Sequence, residues 1–119
     1  MDALELIEII AAGETSTVQF KEALPERSPI EEEMIAMSNS KGGMIIIGVD
    51  DKSGNIKGLD YDSLQKCGSA LSNAANEKVR PVIYITTEVV KIQKKGTVCN
   101  VLVVYINEGT QKPYKTTKG

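Results

Sequence analysis

The run Met44-Ile45-Ile46-Ile47-Gly48-Val49 sets the strongest limit on what this chain can fold into. It is apolar throughout, so neither side of the segment can look onto water. A short β-branched run of this kind suits a strand, and one apolar on both faces belongs in the middle of a sheet that is covered on each side. Just before it, Lys41-Gly42-Gly43 supplies a helix stop, with Gly42 able to take the left-handed exit. Just after it, Asp50-Asp51-Lys52-Ser53-Gly54 is turn-rich, and Asn55-Ile56-Lys57-Gly58 can return as a neighbouring strand.

The other elements follow from spacing. Leu4, Ile7, Ile10 and Ala11 recur at helical intervals before Gly13, which predicts an amphipathic helix over residues 2–12. Residues 17–22 alternate, with Val18 and Phe20 on one face and Gln19 and Lys21 on the other, as a half-buried strand requires. Ser28-Pro29-Ile30-Glu31 has the form of a capping box with proline at the first helical position. A helix is therefore expected over 28–41, with Ile30, Met34, Ile35 and Met37 as its apolar stripe and Glu31, Glu32 and Glu33 at the positive end of its dipole. Asp62-Ser63-Leu64-Gln65 resembles a second capping signal, and Leu64, Cys67, Leu71, Ala74 and Ala75 carry that helix to Lys78, before Pro81 forbids continuation. Residues 82–93 and 97–107 are β-rich and flank Lys94-Lys95-Gly96, which predicts a long hairpin, with a last strand near Tyr114. The order α, β, α, β, β, α, β, β implies an α+β fold with helices packed on a mixed, mainly antiparallel sheet.

A chain of 119 residues suits one domain with a single core. Its opening Met1-Asp2-Ala3-Leu4-Glu5 lacks the basic stretch of a signal peptide, and its longest apolar run falls well short of the roughly 20 residues of a membrane span. A soluble, cytoplasmic protein with no membrane partner is expected. Cys67 and Cys99 show no C-x-x-C spacing and there is no histidine to complete a zinc set, so both are expected to be reduced core thiols. The lack of histidine also excludes Ser-His-Asp triads, Cys-His pairs and H-E-x-x-H metalloproteases. Any general acid or base would be a carboxylate, lysine, tyrosine or cysteine.

Net charge is −2, which argues against binding nucleic acid by overall charge. The distribution is uneven: residues 1–60 carry a balance of −7 and residues 61–119 one of +5. The basic half places Lys91, Lys94 and Lys95 beside the hairpin tip and Lys112, Lys115 and Lys118 in the tail. On one face these groups would meet phosphates; scattered, they are solvated surface lysines. Phe20, Tyr61, Tyr84, Tyr105 and Tyr114 are spread out, which disfavours a stacking platform, and with Arg27 and Arg80 as the only arginines a base-reading helix is not expected. Gly42 and Gly43 do not make a phosphate loop, because they close a helix and open a strand where a P-loop does the reverse.

Several segments together carry a family pattern: Glu14-Thr15-Ser16-Thr17-Val18-Gln19-Phe20-Lys21, the helix end Met37-Ser38-Asn39-Ser40-Lys41-Gly42-Gly43, the strand into Gly48-Val49-Asp50-Asp51, and Ile56-Lys57-Gly58-Leu59. They resemble the Schlafen AlbA-like domain, strongly over Gly13 to Leu59 and weakly over the remainder. The resemblance implies a nucleic-acid-binding module of bacterial transcriptional regulators, with a ribonuclease branch in animal Schlafen proteins. Because members usually continue into an ATP-binding region and a winged helix, it also implies that residues 1–119 are the N-terminal part of a longer protein.

In the ribonuclease branch, the metal-dependent site falls by motif position on Glu14, Gln19 and Asp50 or Asp51. Gln19 stands where that pattern has a glutamate; it keeps the shape but loses the charge, which leaves a weak carbonyl ligand that cannot shuttle a proton. A Mg²⁺ site that activates water needs several anionic oxygens. Glu22 is the nearby carboxylate, and alternation puts it on the opposite face from Gln19 and Lys21. Taken from the residues alone, Glu14 is a loop carboxylate bonding backbone amides, and Asp50 and Asp51 are turn residues. No catalytic residue, metal or cofactor is therefore expected, with ATP or Mg²⁺ confined to a longer protein or to the nuclease alternative.

The resulting expectation is a nucleic-acid-binding domain of a transcriptional regulator. Lys21, Lys41, Lys91, Lys94 and Lys95 would contact DNA or RNA phosphates, and Asn39 and Ser40 would add polar contacts. Lys21 equally suits pairing with Asp50 or Asp51 across the sheet. Two alternatives stay open: a metal-dependent ribonuclease built on Glu14, Asp50 and Asp51, and a protein-interaction or dimerisation module whose acidic half meets the basic half of a second subunit, or whose late strands offer an edge for a homodimer.

Overall fold

β2 (Gly43–Ile47) lies inside the sheet, between β1 (Val18–Lys21) and β5 (Thr97–Ile106), with β4 (Ile85–Lys94) at the far edge. These strands come from a computed structural model that describes residues 1–25 and 28–118, so Arg27 lies outside the described residues. β1 runs parallel to β2, joined through α2 (Ile30–Ser38), whereas the β2–β5 and β5–β4 pairings are antiparallel. α1 (Ala3–Ala12) precedes β1, and α3 (Tyr61–Glu77) leads into β3 (Val79–Arg80), which pairs with β6 (Lys115–Thr116). The fold is α+β, with helices on a mixed, mostly antiparallel sheet, as the sequence predicts. Among the described residues no helix is long and apolar enough to cross a membrane.

Both faces of the sheet are covered. Ile45 and Ile47, with Leu102, Val104 and Ile106, pack against Met34 and Met37 of α2 and Leu71, Ala74 and Ala75 of α3. Ile46 points the other way and joins Phe20, Val90, Ile92, Val101 and Val103 under Leu6 and Ile10 of α1. Three consecutive isoleucines are thus 0% exposed. Burying a side chain of that size is worth roughly 1.5–3 kcal/mol, and only a sheet roofed on both sides collects it at successive positions.

Several boundaries differ from the sequence expectation. α2 starts at Ile30, with Pro29 as N-cap and no side-chain cap bond, because the Ser28 amide is drawn into a turn with Pro25 O (3.1 Å) and Pro29 sits at φ −80, ψ 51, outside the helix. The same helix ends at Ser38 rather than 41; Gly42, at φ 78, returns its amide to Met37 O at 2.8 Å and closes the end. α3 is capped by Asp60, whose carboxylate accepts from the Ser63 amide at 2.7 Å, and not by Asp62. Leu59 is buried and its amide is held by Asn100 O (2.8 Å), so the chain must turn into the helix at the next residue. Residues 55–58 make a single bridge, Val49 to Ile56, in place of a strand; the Lys57 and Gly58 amides both close onto Gly48 O, at 2.8 and 2.9 Å. The two-residue β3 has no counterpart among the expected elements.

Candidate nucleic-acid interface

Strand direction decides which polar residues meet. β1 and β2 end at Lys21 and Ile47, β5 begins and β4 ends on the same side, and so Lys21, the turn after β2 and the hairpin tip share one end of the sheet. The turn is laid against the hairpin. Lys94 Nζ donates to Asn55 Oδ1 and to Ile56 O (2.9 Å), and Gly58 lies so close to Cys99 that an added Cβ would sit 3.0 Å from the Cys99 Cβ. Asp50 shapes the turn itself by accepting from the Lys52 and Ser53 amides at 2.8 and 3.2 Å. Those backbone bonds, Lys52 first, hold its carboxyl below the usual range, with the Lys57 and Lys52 charges helping and slight burial opposing.

This arrangement joins Lys94 and Lys95 at the tip to the turn that carries Lys52 and Lys57. Lys91 is near the same sheet end but leaves β4 on the opposite face from Lys94, because Val90 and Ile92 take the α1 side. Lys91 and Lys95 are exposed, while Lys94 is half-buried under its two bonds. Lys52 and Lys57 were not singled out from the sequence. The turn chemistry of Asp50 and the glycine at 58 were the available signals, since a tight loop after a central strand must fold back on the sheet end and bring its own charges along.

Lys21 is at the same end but on the opposite edge, and it faces α2. Its ammonium pairs with Glu33 Oε2 at 3.0 Å, in place of Asp50 or Asp51, because Gln19 and Lys21 point to the helix side while Phe20 points to α1. Beside it is an open cleft of about 520 Å³ bordered by Phe20, Glu22 and Asp51. Glu14 Oε2 accepts from the Phe20 amide at 2.8 Å, as a loop carboxylate should. Gln19 Nε2 donates to Thr15 O at 2.7 Å. Of the motif positions of the ribonuclease branch, Glu14 and Asp50 are engaged by backbone amides, Gln19 is an amide and Asp51 borders the cleft, and among the described residues no group of three or more acidic, cysteine or histidine side chains is placed to hold an ion. This donor set does not fit a divalent metal.

Asn39, Ser40 and Lys41 lie at the other end. They precede β2, so the strand's length, roughly 13 Å at 3.3 Å per residue, separates them from Lys21 and the hairpin tip. Asn39 uses both ends of its amide on the Tyr114 backbone. Ser40 O and the Glu108 carboxylate receive Lys112 Nζ at 3.0 and 2.7 Å. The Lys112 hydrogen bond, then its charge, holds the Glu108 carboxyl low, and Lys41 adds to this at longer range. The double glycine serves approach: a Cβ on Gly42 would come within 2.6 Å of Ile106 O, and one on Gly43 within 2.7 Å of Thr17 O. Of the seven side chains selected from the sequence, Lys94 and Lys95 stay together at the tip, Lys91 and Lys21 share that end of the sheet on another face or edge, and three stand apart.

No curated protein matches the chain. The sequence model of the family described as Schlafen, AlbA_2 matches residues 14–119, which takes in every strand, the Glu14 segment and the double glycine. The chain belongs to the Schlafen AlbA_2 family.

Proposed function

We propose that this domain binds the phosphate backbone of DNA or RNA through Lys52, Lys57, Lys91, Lys94 and Lys95, as part of a bacterial, cytoplasmic transcriptional regulator. The observation that supports the proposal is the clamp of Lys94 on Asn55 and Ile56, which fastens the turn carrying Lys52 and Lys57 to the hairpin. A chain with net charge −2 can bind an anion locally when its cations are concentrated in this way. Phosphate contacts of this type position a strand without reading bases. That agrees with a surface on which the exposed Tyr84 lies before β4, at the end of that strand far from the tip. Lys21, already paired with Glu33, extends the surface across the sheet end only after exchanging its partner.

Fluorescence anisotropy with labelled single-stranded DNA, duplex DNA and RNA tests the proposal. If all five lysines engage duplex DNA, log affinity falls against log salt with a slope of up to about −4.5. Lys91→Glu with Lys95→Glu is expected to weaken binding at least tenfold and to flatten the slope. Absence of binding at low salt would discard the proposal.

A second reading, self-association, draws on β4, a ten-residue strand at the sheet edge. Such an edge offers backbone groups for pairing with a second copy. A concentration-dependent shift in sedimentation, abolished by proline at Thr87, would support it, and a monomer at all concentrations would end it.

A further inference from the structure

A second cleft, of about 510 Å³, lies between the segment after β1 and the flank of α3. It falls in the range of small-molecule sites, which are mostly apolar with a few converging polar groups. Leu24, Pro25, Ile30 and Ala70 give the apolar lining. Leu24 is half-buried and packs against the core cluster that includes Cys67 and Leu71, so this wall is backed from beneath. Ser28, Lys66, Asn73 and Lys78 provide the polar groups.

The polar groups are spaced along one helix. Lys66, Ala70 and Asn73 follow at intervals of four and three and so share a face of α3. At 1.5 Å per residue, Lys78 lies about 7.5 Å beyond Asn73 along the axis, and Lys66 about 10 Å before it. Lys78 is the C-cap, half-buried and pinned through its own backbone by Ala74 O (3.1 Å) and by the Thr117 amide (3.0 Å). Lys66 holds Asp62 at 2.9 Å in an exposed pair.

We propose that this cleft binds a nucleoside 5′-monophosphate, free or as the terminal residue of a strand. The base lies on Leu24, Pro25, Ile30 and Ala70, the Asn73 amide and the Ser28 hydroxyl meet its edge, and Lys78 takes the phosphate. Asn73 offers both a donor and an acceptor, which a base edge uses and a fatty acid would leave unpaired. Bare phosphate would make no use of the apolar lining. The site is separate from the hairpin lysines, so it stands or falls without them.

Amide-resolved NMR titration with AMP, GMP, CMP, UMP and inorganic phosphate tests it. At least one nucleotide is expected to give saturable shifts centred on Leu24, Ile30, Ala70, Asn73 and Lys78, with affinity at least tenfold above that of phosphate. Lys78→Gln should weaken this tenfold, and Ala70→Trp, a change at an exposed position that fills the lining, should abolish it. Lys91→Glu with Lys95→Glu should leave it unchanged. Competition by an oligonucleotide with a 5′-phosphate, but not by its unphosphorylated twin, would identify the strand end as the source; competition by neither would identify the free nucleotide. Equal binding of phosphate and nucleotides, undiminished binding by Ala70→Trp, or no saturable shift would each overturn the proposal.

Discussion

The side-chain amide of Asn39 brackets the backbone of Tyr114: Nδ2 donates to Tyr114 O at 3.0 Å and Oδ1 accepts from Tyr114 N at 2.7 Å. Asn39 is also the residue that ends α2, so one side chain fastens the C-terminal segment and β6 to the helix before β2. Asn39→Ala removes both bonds and leaves two backbone groups unpaired, an expected loss of about 1–2 kcal/mol in denaturant unfolding. Asn39→Asp keeps the acceptor and should lose less. A change in both variants below about 0.5 kcal/mol would show that water replaces the bracket.

Gly42 permits no side chain. Its φ of 78 is unfavourable for other residues, and a Cβ would meet Ile106 O and Glu108 N at 2.6 and 2.7 Å. Both obstacles are backbone, so they cannot swing aside. Gly42→Ala is expected to cost more than about 2 kcal/mol, whereas Gly96→Ala at the open hairpin turn, with φ 79 but nothing nearby, should cost about 1 kcal/mol. Equal thermal midpoints for the two would contradict the crowding account.

Glu88 and Tyr105 predict a stability profile that falls at both ends of the pH scale. Glu88 accepts from the Tyr105 hydroxyl and from the Met1 ammonium, and these bonds hold its carboxyl below the ordinary range. Its contribution is present above the unfolded carboxylate value and is lost as pH falls through the lower folded one. Tyr105 is pushed up to about 12, by burial first and by Glu88 second. The fold therefore prefers the neutral phenol, and that preference is lost as pH rises from the unfolded value near 10 toward 12. Thermal melts should show a shallower acid limb in Glu88→Gln and a shallower alkaline limb in Tyr105→Phe. Unchanged limbs would dismiss the coupling.

Lys94 differs from its neighbour Lys95 in being tied down. Lys94→Ala is expected to speed hydrogen exchange at residues 55–57 and to cost about 1 kcal/mol, while Lys95→Ala should leave exchange as it was. For nucleic acid, the two should weaken affinity comparably through charge, with Lys94→Ala adding a slower approach to the bound state. Faster exchange in both would mean that the tip is held by something other than this clamp.

Much of the fold can be read in the residues themselves. Three consecutive isoleucines demanded a doubly covered strand, and the Lys94-Lys95-Gly96 turn located a hairpin of two ten-residue strands. Capping was harder to read, because Ser28 and Asp62 have the right chemistry but the Pro25 turn and the burial of Leu59 settle where each helix begins. The candidate site divided along the same line. Lys94 and Lys95 stay together at the turn, whereas Lys91, an odd number of residues from Lys94, leaves the strand on its other face. Lys21 and Lys41 flank the helix that joins β1 to β2, and since the two strands are parallel the end of one and the start of the next fall at opposite ends of the sheet. Asn39 was picked for its polarity, and it is the distant Tyr114 that claims it, a partnership 75 positions away that no local pattern announces.

The family match begins at residue 14, two positions past the end of α1. Yet Leu6 and Ile10 are the roof over Phe20, Ile46, Val90, Ile92, Val101 and Val103. A protein trimmed to the matched boundary would keep every strand and still be a half-finished object, with an oily sheet face turned to solvent. Its failure would show as precipitation before any loss of binding was measured, and the working unit of this domain is therefore longer than the stretch by which it is recognised.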